Sequence, residues 1–347
     1  MKNIVKAVCV IIGAVIGAGF ASGREIYIFF GVYGIKGYIG LVIASIVTGI
    51  TIYKVLNHIK DKKIENYEEY LQTLGIHGRI KEILKYIVNL FLLISFYVMM
   101  AGFVAYFEQE FSIMHSIIAP AICLLCYITF MHNIEGITKM NTILIPFLIA
   151  MIVLIGIKSN IVEALEIVPK TIKEGNWLIA SLEYASYNSI LLIPILIGLK
   201  QYTYQKEKKI ATIVSAFLLL LSTILYGILI MAKENILQVE LPLIHIVSKF
   251  GKLYPHIYGI VIVSAIYTSA IASGYGFAEN SSKSKKSYQM ICLILCITAI
   301  PISKIGFASL VDLLYPVLGL IGLIQIGYII FRKWRYTEFM IDIYKLL

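Results

Sequence analysis

Between Gly13 and Glu25 the chain reads Gly-Ala-Val-Ile-Gly-Ala-Gly-Phe-Ala-Ser-Gly-Arg-Glu, four glycines, a serine and an ionisable pair set inside a long apolar stretch. Glycine costs about 1 kcal/mol relative to alanine inside a helix, so this cluster predicts a helix that unwinds partway. Unwinding frees main-chain groups that can bind something. Amides at Gly17, Ala18 and Gly19, at the start of a second half-helix, would favour a carboxylate, and carbonyls around Gly13 and Ile16, at the end of the first, would favour a small cation. Gly13, Gly17 and Ala21 also fit the spacing of a tight helix crossing, the plainer use of small residues. Arg24 and Glu25 then form a gate or ion pair at the outer end of the break, or a proton relay.

A second polar cluster runs Ser181-Leu182-Glu183-Tyr184-Ala185-Ser186-Tyr187-Asn188-Ser189, followed by Pro194 and Gly198. Tyr184 and Tyr187 offer aromatic walls with hydroxyls, and Asn188 offers both donor and acceptor, which suits a small zwitterion. Glu183 is the acid of this region, neutral or paired with Arg24. Further on, Ala265, Thr268 and Ser269 share one helix face, so a main-chain carbonyl and two hydroxyls make a hard, oxygen-only half-site suited to Na⁺. The same face reads equally as a packing stripe with Ala272, Ser273 and Gly276. Asp312 with Tyr315-Pro316 marks another polar point inside an apolar segment, a candidate outer gate.

Other reactive residue types lack company. Cys9, Cys123, Cys126, Cys292 and Cys296 all lie in apolar segments and read as small packing residues, and the six histidines are scattered without metal-ligand spacing. No enzyme motif is found, and no resident cofactor is expected.

The elements that must hold these residues belong to a membrane. The chain is 59% apolar and 14% charged over 347 residues, with mean hydropathy +0.86. A span needs about 20 apolar residues, and segments near 4–33 (interrupted), 35–56, 83–107, 116–131, 139–158, 177–200 (interrupted), 210–231, 255–278, 288–303 and 307–331 qualify. The expectation is an all-α integral membrane protein of about ten transmembrane helices, with the first and sixth broken. The net charge of +10 is dispersed through short connections rather than gathered in a basic module, which argues against nucleic-acid binding. Alternate connections hold 21 and 8 basic residues, a bias that places both termini in the cytoplasm. The N-terminal segment is read as retained, because cleavage at its small residues would remove the Gly-rich break. Residues 57–82 are expected to include a short surface helix, and Lys233 to Leu253, interrupted by Pro242, a helical hairpin serving as a lid or a re-entrant packing element.

Interruptions in the first and sixth spans suggest two five-span repeats, residues 1–158 and 177–331, followed by a cytoplasmic tail, 332–347. With an odd number of spans each, the second repeat enters from the opposite side, so the repeat is inverted. Taken together these features resemble the amino acid–polyamine–organocation superfamily with its LeuT-type five-plus-five fold. Ile12 to Glu25, Tyr184-x-x-Tyr187-Asn188 and Tyr315-Pro316-Val317-Leu318-Gly319 are similar to the YkvI-like bacterial membrane proteins. That resemblance implies a multi-pass protein of the bacterial inner membrane, in contact with the lipid bilayer and a small-molecule solute. It implies a Na⁺ site from Gly13, Ile16, Ala265, Thr268 and Ser269, and a solute site against Gly17, Ala18, Gly19 and Tyr184 to Asn188. The expected activity is secondary active transport, Na⁺-coupled symport of a small solute such as an amino acid by alternating access. Two other readings stay open: coupling to protons through Glu183 or Glu25, and a non-transporting receptor that senses an amino acid.

Overall fold

A computed structural model describes residues 2–75, 78–132, 135–159, 172, 175–231 and 238–331. Every regular element among them is helical. The chain opens with α1 (Lys2–Val15), α2 (Ala18–Ala21) and α3 (Arg24–Phe29), a single interrupted span, then a 3₁₀ turn at Gly31–Tyr33. It continues through α4 (Ile35–Lys62), α5 (Tyr67–Thr73), α6 (Gly78–Phe111), α7 (His115–Met131) and α8 (Glu135–Lys158). The second half holds α9 (Trp177–Gly198), the one-turn α10 (Lys200–Thr203), α11 (Glu207–Met231), the short α12 (Pro242–Ser248), α13 (Leu253–Ser281), α14 (Lys285–Ile302) and α15 (Phe307–Phe331).

Among the described residues seven helices are long and apolar enough to cross a bilayer, and Ile4–Val15, His115–Met131 and Ile145–Lys158 are shorter apolar helices. Each overlaps an expected span, and several run a turn or more past its bounds. Their packing is symmetric under a shift of five. Counting the interrupted α1–α3 as the first span, the second packs on the seventh (α4 on α11), the third on the eighth (α6 on α13) and the fourth on the ninth (α7 on α14). The first packs on the fifth as the sixth packs on the tenth, and the sixth packs on the second as the first packs on the seventh. The pairing is the one expected of two equivalent five-helix units.

The sixth span departs from expectation. The structure runs α9 unbroken from Trp177 to Gly198, through Tyr184 to Asn188 and past Pro194. The physical reason is local: Ser186 Oγ donates to the Glu183 carbonyl at 2.9 Å, Asn188 Nδ2 to the Tyr184 carbonyl at 2.9 Å and Ser189 Oγ to the Ala185 carbonyl at 2.7 Å. Each of these three side chains reaches a carbonyl of its own helix, Ser186 bonding the Gly319 carbonyl of α15 as well, so their polar groups give the helix no reason to unwind. The helix ends only at Leu199.

Two connections add detail. The helix expected in residues 57–82 exists as α5, capped by Asn66 Oδ1 accepting from the Glu69 amide at 2.9 Å, with Tyr70 and Leu71 packed inward and Glu68 and Gln72 exposed. In the expected hairpin, Pro242 begins α12, where its missing N–H costs nothing. Residues 232–237 of that hairpin and the 332–347 tail lie outside the described residues.

Candidate functional site

The break in the first span is built by glycine. α1 stops at Val15, and the Gly17 amide turns back to the Val15 carbonyl at 3.0 Å. Among the described residues the carbonyls of Gly13 and Ile16 therefore receive no backbone amide. A second turn closes the break on its far side, where Gly23 takes φ 80°, a left-handed conformation that side chains disfavour. Ser22 Oγ donates to the Gly19 carbonyl at 2.9 Å and accepts from the Arg24 amide at 3.2 Å. Neighbours hold what remains: Tyr258 Oη of α13 donates to the Ala21 carbonyl at 2.5 Å, and the Leu243 amide of α12 donates to the Ser22 carbonyl at 2.9 Å.

Glu25 follows this turn and points back into the break. Its carboxylate lies directly over Gly19, where a Cβ would meet Glu25 Oε1 at 2.0 Å. Glycine is required there by this close approach. The carboxylate accepts from the Phe20 amide and from Tyr187 Oη of α9. Aromatic rings surround the pair. Tyr187 stacks on Phe29 and Phe91 with centroids 5.7 and 6.5 Å away, meets Tyr184 edge-on at 5.5 Å, and lies 5.1 Å from Tyr315. Tyr184 packs edge-on against Phe29 and Phe30. Its hydroxyl is buried beside the side chains of Asn188 and Tyr187.

Arg24 turns the other way. Buried to 2% exposure, it reaches Asp312 of α15 with both Nε (2.8 Å to Oδ1) and Nη2, and donates from Nη1 to the Val239 carbonyl at 3.0 Å. A bidentate pair of this kind fixes geometry as well as charge. It ties the first span to the last and to the segment before α12. Arg24 thus meets Asp312 rather than Glu25, its neighbour in sequence, which is spent on Tyr187. Glu183 sits where α9 crosses α15 at Gly319.

On α13, Ala265 and Thr268 are buried side by side, with Thr268 Oγ1 donating to the Ala265 carbonyl at 3.1 Å, and Ser269 is half-buried beside them. The main first-span partner of α13 is α2. Gly17 faces Met99 across a gap that would put a Cβ 3.9 Å from Cε, and Gly13 faces Ile145. Ala18 begins α2. The fold thus gathers Gly19, Tyr184 and Tyr187 around one carboxylate, with Asn188 one turn along α9. Phe29, Phe30 and Phe91 were not singled out in the sequence, where they read as ordinary lipid-span residues. An open groove of about 560 Å³ between the ends of α4 and α11, lined by Lys60, Lys206, Lys208 and Lys209 among others, touches none of these groups.

No family model matches the chain. It is 24% identical over 330 residues to the uncharacterized membrane protein YkvI of Bacillus subtilis (strain 168), covering 93% of this chain and 94% of that one. It is 26% identical over 339 residues to the uncharacterized protein YyaD of the same organism, covering 95% and 98%. Among solved structures it superposes on a Na⁺-coupled sialic acid symporter, captured substrate-bound and outward-open, with a TM-score of 0.56 and 17% identity over 94% of this chain and 77% of that one. The resemblance read from the opening motif holds over nearly the whole length, and the multi-pass helical fold is shared with that symporter.

Proposed function

We propose that the protein is a secondary active transporter that couples the movement of a small solute, such as an amino acid, to Na⁺ by alternating access. The observation that carries this reading is the interrupted first span, whose Gly13 and Ile16 carbonyls receive no backbone amide among the described residues. Bare main-chain groups at membrane depth are tolerated where they line a site. Ala265, Thr268 and Ser269 on α13 supply the complementary oxygens, and Na⁺ needs no more than such neutral ligands. Residues 1–158 and 177–331 act as the two repeats, with Gly17, Ala18, Gly19, Tyr184, Tyr187 and Asn188 around the solute. Arg24 and Asp312 close the outer side, and Glu25 and Glu183 complete the polar lining. The protein works in the bacterial inner membrane with both termini in the cytoplasm.

Uptake of labelled solutes into proteoliposomes, with and without an inward Na⁺ gradient, tests this. A Thr268→Ala variant should raise the Na⁺ concentration for half-maximal uptake by about tenfold, the loss of one oxygen ligand. Uptake that ignores Na⁺, follows pH and vanishes in Glu25→Gln would instead identify a proton-coupled carrier, a reading that the buried Glu25 keeps specific. Saturable binding without flux would identify a receptor.

A further inference from the structure

The groove between the C-terminal end of α4 and the first turn of α11 takes no part in the break. It measures about 560 Å³, and Lys60, Lys206, Lys208 and Lys209 line it. Like charges gathered this closely repel unless an anion stands among them. Lys60 is accounted for. It donates to Asn57 Oδ1 at 2.8 Å and lies 3.7 Å from Asp61 and 3.9 Å from Glu207. Glu207, the acid in the groove wall, is buried and also accepts from the Gln205 amide at 2.8 Å, so its charge is shared between Lys60 and the main chain. Among the described residues Lys206, Lys208 and Lys209 have no acidic partner. A site with this balance suits an anion rich in oxygens, and lysine binds phosphate as a point charge. The far wall distinguishes one kind of phosphate from another. Tyr53 and Ile213 line the groove where it meets the apolar spans. One and two turns further in, Ile50 and Ile46 follow Tyr53 on one face of α4, and Phe217 and Leu220 follow Ile213 on one face of α11. All four are exposed. Beside them the two helices touch directly, with Gly49 against Ser215 and Ser215 Oγ donating to the Ser45 carbonyl at 2.7 Å. The basic groove thus opens onto an outward apolar track. A soluble phosphate would use only the groove, whereas a phospholipid uses both, and basic pockets between spans are suited to anionic headgroups.

We propose that this groove binds an anionic phospholipid, its phosphate held by Lys206, Lys208 and Lys209 and its acyl chains laid along Ile46, Ile50, Phe217 and Leu220. Bound there, the lipid braces the joint between α9 and α11, where α10 and Gln205, at φ 59°, turn the chain from one span into the next. The site does not depend on which solute the protein carries, or on whether it carries one.

The test uses the purified full-length protein in a neutral detergent. Its unfolding temperature is followed as phosphatidylglycerol, phosphatidylcholine with the same acyl chains, or glycerol phosphate alone is added, and retained lipid is counted by native mass spectrometry. Phosphatidylglycerol should stabilise the protein and stay bound. Lys206→Gln, Lys208→Gln and Lys209→Gln combined should raise the concentration giving half of that shift by about tenfold or more, from the attraction that each lysine contributes near an anionic headgroup. Arginine at the same positions should preserve the shift. Lys283→Gln, Lys285→Gln and Lys286→Gln combined, an exposed basic run at the start of α14 outside the groove, should leave it nearly unchanged. Stabilisation by phosphatidylcholine equal to that by phosphatidylglycerol, no stabilisation by either, or equal losses in the two glutamine variants would overturn the proposal, the last by showing attraction to basic surface in general. Glycerol phosphate matching the lipid at equal concentration would overturn it too, making the groove a site for a soluble phosphate.

Discussion

The interrupted first span and the continuous α9 hold comparable numbers of small and polar residues, and they occupy matching places in the two halves. In α9 the polar groups are on side chains short enough to reach the preceding turn, as Ser181 does with the Trp177 carbonyl at 2.6 Å and Asn188 with Tyr184. The helix absorbs them and goes on. In the first span the polar content is mostly bare backbone, because glycine has no side chain with which to repair a lost turn. Its loose ends are tied by distant groups: Tyr258, the Leu243 amide, and Glu25 reaching back over Gly19. Polar residues do not break a helix in a membrane; missing side chains with external partners do.

This contrast can be broken most severely at Gly19. Gly19→Ala places a Cβ 2.0 Å from Glu25 Oε1, so the carboxylate or the turn has to move. Overpacking of this kind costs about 1–3 kcal/mol, and solute binding should be lost outright. Unimpaired binding in calorimetry would show that Glu25 does not need its seat over Gly19. Next in size is Asp312→Asn, which leaves the buried Arg24 with a neutral partner. The exposed side of Asp312 moderates the penalty, and a loss of about 2 kcal/mol in detergent thermal unfolding is expected. Adding Arg24→Gln should recover part of it, since the stranded charge is then removed. The smallest effect belongs to α9. Ser189→Ala removes a bond that only serves its own helix, so stability should change by about 0.5 kcal/mol or less. A drop several times larger would mean that α9 depends on this serine as the first span depends on its remote partners.

The seven long apolar helices were legible because bilayer thickness dictates their length, and the first break because glycine is dense there. Continuity of α9 was not legible, since serines and an asparagine fit either a broken helix or one bonded to itself. Pairing was hidden for a different reason. Glu25 and Glu183 were the acids read as partners for Arg24 and Asp312 only as a gate, whereas the turn at Gly23 sends Glu25 inward and Arg24 toward α15. The aromatic wall escaped notice because Phe29, Phe30 and Phe91 are what any lipid-facing span would contain.

Arg24 and Asp312 are separated by 288 residues. A ribosome therefore finishes the guanidinium long before its acid exists. A guanidinium at the middle of an inserting helix costs about 2.5–3.5 kcal/mol, so the opening segment has reason to linger near the headgroups until α15 is threaded. On this account biogenesis ends where the chain began, and a nascent protein truncated ahead of residue 312 should leave Cys9 in its first span open to a membrane-impermeant maleimide, from which the full-length chain shields it.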